Sequence, residues 1–398
     1  MKKKAILVLA AALTLIFSYG GIALAEEGVT ATEIHIGSWG PQTGPAAAWG
    51  SVPRATEAYF KMINEEGGIH GRKLVLHHFD DAYNPAKTKA GVKQLQESSH
   101  GIFAWAGGVG TSNGLAIMDY LMDKKVPWIA PATGSTAWTT PPRKYLFTVY
   151  PPYDGEARIL MRYAVQNFKG KRLAIVYQND EYGKTGLRGA EQELSAHGVQ
   201  FAAKVPQNVT ETDMKPIIMR LKKANADVVL LWVSPSSLVR ILLTGKAMKF
   251  DPQWMTTSTC SDLPLFWKIS RGAIKGIIAA ALTEMPDSQN AMLLRYKRNV
   301  YEKHAGKGER WGVFYYAGIV FAEPLVEALR RVGPNLTRER LVKELEGLKD
   351  FKGISGKITY KPFDPNDRSS RLGLNSVFVI QCLDNADYTI LSDWVKLD

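Results

Sequence analysis

Residues 102–122 have the sequence IFAWAGGVGTSNGLAIMDYLM, in which an apolar run, a glycine-rich turn and an amphipathic pattern follow one another. The apolar run predicts a strand, and Leu115, Met118 and Met122 recur at helical spacing after the turn. A glycine-rich turn that leads into a helix presents unpaired N–H groups and the positive end of the helix dipole, which favours an anion. The stretch therefore predicts an open α/β sheet with a ligand near the carboxyl end of this strand.

The same alternation of strands and helices extends along the chain. Further apolar runs that predict strands lie at residues 34–37, 74–76, 126–130, 173–177 and 228–232. Near-continuous apolar runs are typical of strands that are covered on both faces. Amphipathic helical patterns separate them, for example over residues 55–63 and 214–221. Such alternation predicts parallel sheets with right-handed crossovers.

Proline pairs divide this series in two. They occupy residues 141–142 and 151–152, and a new strand–helix series begins at Leu173. The last section, from about Gly356, differs from the rest, because residues 357–360, 376–382 and 388–391 resemble antiparallel strands joined by polar turns. We predict an α/β fold of two doubly wound parallel-sheet lobes, with the last section closing a sheet edge.

The N-terminal segment has the pattern of a cleavable signal peptide. Lys2, Lys3 and Lys4 precede an apolar run over residues 5–17, and the segment ends in Ala23-Leu24-Ala25. A retained membrane anchor is the alternative, but the run is shorter than the about 20 residues that span a bilayer. We predict a signal peptide over residues 1–25, cleavage after Ala25 and a periplasmic protein. No cysteine lies near this site, which disfavours a lipid anchor.

Composition excludes some classes of protein. The formal net charge of +12 is spread along the chain, so it argues against a nucleic-acid partner. No later segment is long and apolar enough to cross a membrane, so we do not expect a membrane-embedded protein. The two cysteines, Cys260 and Cys382, are compatible with a disulfide or with two buried thiols.

A second loop resembles the glycine-rich turn in character. Residues 131–136, PATGST, follow the predicted strand at residues 126–130 and supply small residues and hydroxyls. Together the two loops favour a carboxylate site. The alternative is that Thr111 or Ser112 simply caps the helix.

Catalytic and metal-binding patterns are not evident. The sequence contains no HExxH or nucleophilic cysteine signature, so we do not expect an enzyme. His77 and His78 are adjacent on a predicted strand and therefore point to opposite faces, so they cannot chelate one ion together. We expect neither a metal nor a cofactor.

Several short segments, taken in order, resemble the branched-chain amino acid binding proteins of ABC transporters. They are residues 34–37 (IHIG), 44–45 (GP), 64–69 (NEEGGI), 71 (G), 80–81 (DD), 126–127 (VP), 131–133 (PAT) and 182–183 (YG). The resemblance implies the type I periplasmic binding fold, in which three crossovers join two lobes around a ligand. It implies that residues 28–151 plus 284–354 form lobe one, and 152–283 plus 355–398 form lobe two. The implied partners are a small-molecule ligand and the membrane permease of an importer.

The resemblance also implies roles for individual residues. Thr111, with Ser112 beside it, corresponds to the hydroxyl residue that holds a ligand carboxylate. Ala132 and Gly134, with Thr133 between them, correspond to the backbone groups of the next loop. Two aromatic positions complete the match, Trp49 as a wall residue and Tyr182 as the residue that stacks over the ligand.

Two departures separate this chain from the family's amino-acid binders. The loop that supplies an acid to hold the ligand ammonium offers Ser258 instead, with Asp262 and Glu284 as possible substitutes. The positions of the family's lobe-one disulfide are occupied by Tyr83 and Gly110.

Tryptophans are numerous, and Trp49, Trp232 and Trp311 lie in or beside predicted cleft loops. We therefore expect a solute-binding protein whose ligand is a carboxylate, either an amino acid or, preferably, an aromatic or hydrophobic organic acid. A ligand-sensing subunit that signals to a membrane receptor is the alternative.

Overall fold

A computed structural model describes residues 26–397 of the chain. Its strands are β1 (Glu33–Gly40), β2 (Lys73–Asp80), β3 (Ala104–Ala106), β4 (Trp128–Ile129), β5 (Leu146–Phe147), β6 (Leu173–Gln178), β7 (Ala203–Gln207), β8 (Val228–Trp232), β9 (Gln253–Thr256), β10 (Ile278–Ala281), β11 (Phe351–Gly353), β12 (Gly356–Ile358), β13 (Ser376–Cys382) and β14 (Tyr388–Lys396). Its α-helices are α1 (Ser51–Glu65), α2 (Pro85–Gln96), α3 (Thr111–Asp123), α4 (Tyr153–Asn167), α5 (Glu181–Ala196), α6 (Lys215–Lys223), α7 (Pro235–Ala247), α8 (Leu263–Ile269), α9 (Ala291–Tyr296), α10 (Glu302–His304), α11 (Val313–Val332) and α12 (Arg338–Glu346).

The first sheet has five parallel strands in the order β2-β1-β3-β4-β5. Strands β1 to β4 correspond to the four predicted strands of the N-terminal series. β1 is buried over seven of its eight residues. Because β1 is covered on both faces, it lacks the regular alternation of apolar and exposed polar residues that a half-exposed strand shows.

The second sheet has seven strands in the order β14-β13-β10-β9-β8-β6-β7. Strands β6 to β10 are parallel, whereas β13 and β14 are antiparallel additions at one edge. The expected antiparallel closure by the C-terminal section is thus confirmed for β13 and β14. The predicted strand at residues 357–360 instead overlaps β12, which pairs with β11 in a separate two-stranded sheet.

After β10 the chain returns to the first lobe. Helix α11 packs against α1, where the Thr56 hydroxyl donates a hydrogen bond to the Gly318 carbonyl at 2.9 Å. A Cβ on Gly318 would lie 2.1 Å from the Val52 carbonyl oxygen, so only glycine permits this approach of the two backbones.

The chain returns again to the first lobe before β13. The Thr148 amide, just after β5, donates to the Arg371 carbonyl at 2.9 Å, and the fully buried Arg371 guanidinium donates to the Lys144 carbonyl at 3.0 Å. The two sheets and these returns confirm the predicted α/β class with two lobes. The boundaries at residues 28–151 plus 284–354, and 152–283 plus 355–398, stay a prediction.

The predicted signal peptide, residues 1–25, lies outside the described residues. Within residues 26–397, no helix combines the length and the apolar character needed to cross a membrane.

Cys260 and Cys382 are both buried free thiols rather than a disulfide pair. Burial raises the pKa of each thiol to about 12. Both side chains are therefore protonated and unreactive at neutral pH.

Candidate ligand-binding site

A cavity lies between the two lobes at the carboxyl ends of the parallel strands. Segments that follow β1, β3, β4, β6 and β9 contribute to its wall, together with the start of α11. The empty space within its lining, including the part that is open to solvent, amounts to about 530 Å³. Among the described residues that line it, no side chain carries a formal charge. Location and lining are those of a site for a mainly apolar small molecule.

The N-terminus of α3 forms one end of the cavity. Gly110 is the N-cap residue, and no side chain caps the helix, so the first-turn N–H groups are open to a ligand. Gly110 has φ of 105°, and a Cβ there would lie 2.5 Å from the Asn113 Oδ1, so the turn requires glycine. The alternative that Thr111 or Ser112 caps the helix is wrong, because Thr111 is already the first helical residue.

Two threonine hydroxyls meet at this end. Thr111 Oγ1 and Thr133 Oγ1 are 2.6 Å apart, and both side chains are buried and line the cavity. Where the Thr133 hydroxyl donates to Thr111, the proton of the Thr111 hydroxyl is available for a ligand oxygen. A hydroxyl donor beside an uncapped helix start is chemically suited to hold an anion.

The backbone of the second loop is less available than the resemblance implies. The Ala132 amide donates to the Gly108 carbonyl at 3.0 Å, and the Thr133 amide donates to the Pro131 carbonyl at 2.7 Å. The Gly134 carbonyl accepts from the Tyr153 amide at 2.7 Å. Ala132 and Thr133 line the cavity, whereas Gly134 and Ser112 do not.

Aromatic side chains from both lobes form the middle of the cavity. Trp49 and Tyr182 both line it, with their ring centroids 6.4 Å apart in an edge-to-face arrangement. Tyr83, Tyr153 and Phe314 extend the same wall. The predicted aromatic wall residues are therefore brought together, and the sequence analysis missed three of their neighbours.

Hydrogen bonds cross between the lobes around this wall. The Trp49 indole N–H donates to the Thr259 carbonyl at 3.1 Å. The Thr259 hydroxyl lies 2.6 Å from the Tyr182 hydroxyl. Farther out, the Ser236 hydroxyl donates to the Pro45 carbonyl at 2.6 Å. The Trp49–Thr259 and Ser236–Pro45 bonds join the two lobes over the cavity, whereas the Thr259–Tyr182 contact lies within the second lobe.

Two predicted tryptophans lie away from the cavity lining. Trp232 is fully buried behind Tyr153 and Tyr182, with ring centroids 5.7 and 6.1 Å away. The Trp311 indole donates to the Pro286 carbonyl at 3.1 Å, and its ring packs on Tyr316. Trp232 fills the protein interior, which is the usual place of a large aromatic side chain, whereas Trp311 is half-buried.

A buried acid stands behind Ser258 at the other end of the cavity. The Ser258 hydroxyl and amide both donate to the Glu156 carboxyl group, at 2.6 and 2.7 Å. The Tyr150 hydroxyl lies 2.8 Å from the Ser258 Oγ. Burial raises the pKa of Glu156 above its ordinary value, although the hydrogen bonds from Ser258 act in the opposite direction.

Glu156 was not predicted as a site residue, although the sequence contains a pattern that singles it out. It lies at i+3 from Tyr153, within the apolar stripe of α4 that continues through Ala157 and Leu160. An acid within a buried stripe is rare unless it has a partner. Asp262 and Glu284, the two acids considered as partners of a ligand ammonium, do not line the cavity. Asp262 accepts from the Phe314 amide at 3.1 Å, and Glu284 accepts from the Ser288 hydroxyl at 2.8 Å.

Three histidines meet elsewhere in the first lobe. One ring nitrogen from each of His35, His77 and His100 lies within 4.8 Å of the others. His78, which the sequence analysis considered with His77, points instead toward Glu57, at 3.6 Å. The pKa of His77 is lowered to about 4, mainly by burial and secondly by the charge of the neighbouring His100. Its ring is therefore neutral at pH 7.

The fold and the enclosed cavity define a two-lobed solute-binding protein. The model of the periplasmic binding protein family matches residues 33–370, and the chain belongs to this family. Its relatives identify the type as that of the branched-chain amino acid ABC transporters. Binding proteins of this kind bind small ligands and work with membrane permeases.

Individual relatives support this assignment. The chain is 27% identical over 338 residues to a Leu/Ile/Val-binding protein of Rhizobium johnstonii, covering 82% of this chain and 87% of the relative. A fatty acid ABC transporter substrate-binding protein from Thermomonospora curvata has a similar structure, with a TM-score of 0.82, 20% identity and 94% coverage of both chains. A branched-chain amino acid ABC transporter protein from Thermus thermophilus with bound valine gives a TM-score of 0.81, 18% identity, and coverage of 92% of this chain and 97% of that one.

Proposed function

We propose that this protein captures a small carboxylate-bearing ligand in the periplasm and delivers it to the permease of an ABC importer. The observation that carries the proposal is the cavity between the lobes, which joins the uncapped N-terminus of α3 to an aromatic wall. The helix dipole and the hydroxyls of Thr111 and Thr133 hold the carboxylate, and Trp49 and Tyr182 contact the apolar part.

The preferred ligand is an aromatic or hydrophobic organic acid rather than an amino acid. An α-ammonium group inside the cavity needs a counter-charge, because an unpaired buried charge costs several kcal/mol. Ser258 lines the cavity where such a charge is needed, and the nearest acid, Glu156, has its carboxyl oxygens engaged by Ser258. A raised pKa of Glu156, caused by burial, further weakens it as a counter-ion.

An amino-acid ligand is the second candidate, favoured by Glu156 itself. A ligand ammonium that displaced the Tyr150 hydroxyl from Ser258 would approach a carboxyl group one hydrogen bond away. The positive charge would lower the pKa of Glu156 and favour its ionised form. The relative from Rhizobium johnstonii is named for leucine, isoleucine and valine, which fits this candidate.

Ligand identity is tested first by native mass spectrometry of protein purified without denaturation. A thermal-shift screen follows, with leucine, isoleucine and valine in one arm and benzoate, phenylacetate, 3-phenylpropionate and octanoate in the other. We expect the second arm to raise the Tm. Tight binding of a branched-chain amino acid would overturn the organic-acid preference, and binding of neutral amides as strongly as acids would overturn the carboxylate anchor.

Transport and location are tested in cells. We expect the protein in the periplasmic fraction with an N-terminus at Glu26, and ligand uptake that is lost when either this gene or the permease gene is deleted. Unchanged uptake together with a lost transcriptional response to the ligand would support the sensing subunit instead. Chemical conversion of the bound ligand on incubation would contradict a non-enzymatic role.

A further inference from the structure

The cluster of His35, His77 and His100 has the composition of a transition-metal site. Neighbouring strands bring two of the rings together: β1 and β2 are parallel, and Gly37, two residues after His35, is the register partner of His77. Side chains two residues apart on a strand share a face, so His35 and His77 project to the same side. His100, in the loop before β3, completes the group, and its carbonyl accepts from the Gly28 amide at 3.1 Å.

The rings are already close to coordination distance. His35 Nδ1 and His77 Nε2 are 2.9 Å apart, and the His77 and His100 rings stack with centroids 4.3 Å apart. Two ligands of a tetrahedral Zn²⁺ ion at about 2.0–2.1 Å are separated by roughly 3.3 Å. Separation of the His35–His77 pair by a few tenths of an ångström, with rotation of the stacked His100 ring about χ2, would admit an ion.

The second nitrogen of two rings has a polar partner, as metal-binding histidines usually do. His35 Nε2 lies 3.6 Å from the Glu33 carboxylate, and His100 Nε2 lies 3.2 Å from the Ser98 hydroxyl. Between His35 Nδ1 and His77 Nε2 one nitrogen must carry a proton. If this proton is on His35 Nδ1, it can move to Nε2 of the same ring, which faces Glu33. His35 Nδ1 is then free to bind the ion, and the net charge is unchanged.

We propose that His35, His77 and His100 bind one borderline divalent transition-metal ion, of the Zn²⁺ class, at the edge of the first lobe. Three imidazoles without cysteine or bound carbonyl oxygens select Zn²⁺, Co²⁺, Ni²⁺ or Cu²⁺ over Mg²⁺ and Ca²⁺. The site is separate from the ligand cavity, because the five residues of β1 beyond His35 extend roughly 17 Å toward the cavity end. The ion links β1, β2 and the loop before β3, and so stabilises the first lobe.

Isothermal titration of tag-free, EDTA-treated protein with ZnCl₂ tests the proposal. We expect one equivalent to bind, the Tm to rise, and Co²⁺ to give the visible absorption of a nitrogen-ligated tetrahedral ion. Mg²⁺ should have no effect on the Tm at the same concentration.

Variants assign the binding to the cluster. His77→Gln and His100→Gln should each weaken Zn²⁺ binding at least about tenfold, because even second-layer partners of metal ligands are worth 10–100-fold. His197→Gln is the matched control, since His197 is the exposed C-cap residue of α5, beside Glu193 and far along the chain from the cluster. It should bind Zn²⁺ as the unaltered protein does.

Three results would overturn the site: no stoichiometric Zn²⁺ binding, equal affinity in the cluster variants and the unaltered protein, or an equal loss in His197→Gln. Circular dichroism before titration verifies that each variant is folded. If His77→Gln is not folded, His100→Gln and the Co²⁺ spectrum of the unaltered protein decide the question, because the half-buried His100 belongs to a loop rather than a strand.

Discussion

Replacement of Thr111 by valine removes one hydroxyl from the proposed carboxylate anchor with little change in side-chain shape. Thr111 is the first residue of α3, and its hydroxyl is 2.6 Å from that of Thr133. Valine retains the β-branched outline, and the helix backbone with its open N–H groups stays in place. The substitution therefore tests the hydroxyl and not the helix.

The expected loss follows from the charge of the ligand. A hydrogen bond to a charged group contributes about 1.5–3 kcal/mol, so the Kd for a carboxylate should rise roughly 10- to 150-fold. Stability should fall by about 1 kcal/mol, because the buried Thr133 hydroxyl loses its partner when Thr111 is replaced. The effect on binding should therefore exceed the effect on stability.

The assay is isothermal titration with the strongest acid from the thermal-shift screen and with its uncharged primary amide. The acid should lose more affinity than the amide. Thr139→Val is the matched control: Thr139 is buried outside the cavity lining, and its hydroxyl has no hydrogen-bond partner in the described structure. Unchanged acid affinity in Thr111→Val, or an equal loss for acid and amide, would refute the anchor.

Three further substitutions test the opposite end of the site, the contact between the lobes and a buried acid. Glu156→Gln should leave the affinity for an organic acid unchanged in a titration, since no ammonium needs its charge; a selective loss of amino-acid binding would instead make Glu156 the ammonium partner. Trp49→Phe removes the donor to the Thr259 carbonyl and should weaken ligand binding by about 0.5–1.5 kcal/mol, and equal Kd values would show that this bond does not support closure. Burial raises the pKa of Glu323 to about 8, so the folded state retains a proton that the unfolded state loses near its ordinary pKa. Stability should therefore fall as pH rises from about 5 to 8, by up to roughly 1.4 kcal/mol per pH unit, and Glu323→Gln should remove this part of the slope in urea unfolding at pH 5 and 8; parallel pH profiles would contradict it.

Much of the architecture was predictable because it follows from local patterns. The apolar runs identified β1 to β4, β6 and β8, and the glycine-rich turn before α3 indicated one end of the cavity. Thr111 and Thr133 were chosen from the two loops, and Trp49, Tyr182 and Ser258 from the family resemblance; all five line the cavity. Loops after parallel strands meet at one sheet edge, which makes such a choice possible without coordinates.

Other choices required knowledge of which face a side chain occupies. Trp232 lies at the carboxyl end of a parallel strand, where a cavity residue is expected, yet its ring is buried behind the cavity wall. Tyr150 and Phe314 line the cavity although they belong to segments far apart in the chain. Their contribution depends on how the lobes pack, and no local pattern encodes that arrangement.

The sequence by itself determined the alternating strands and helices, the two-lobed class and the place of the glycine-rich turn, because backbone conformation and burial periodicity are local properties. Only the tertiary structure decided that Gly110 rather than a hydroxyl residue caps α3, and that Glu156 stands behind Ser258. It also decided that His35 and His100 join His77. The Glu156–Ser258 contact and the histidine cluster join residues tens to about a hundred positions apart, so the packing of whole elements, and not the spacing of residues, creates them.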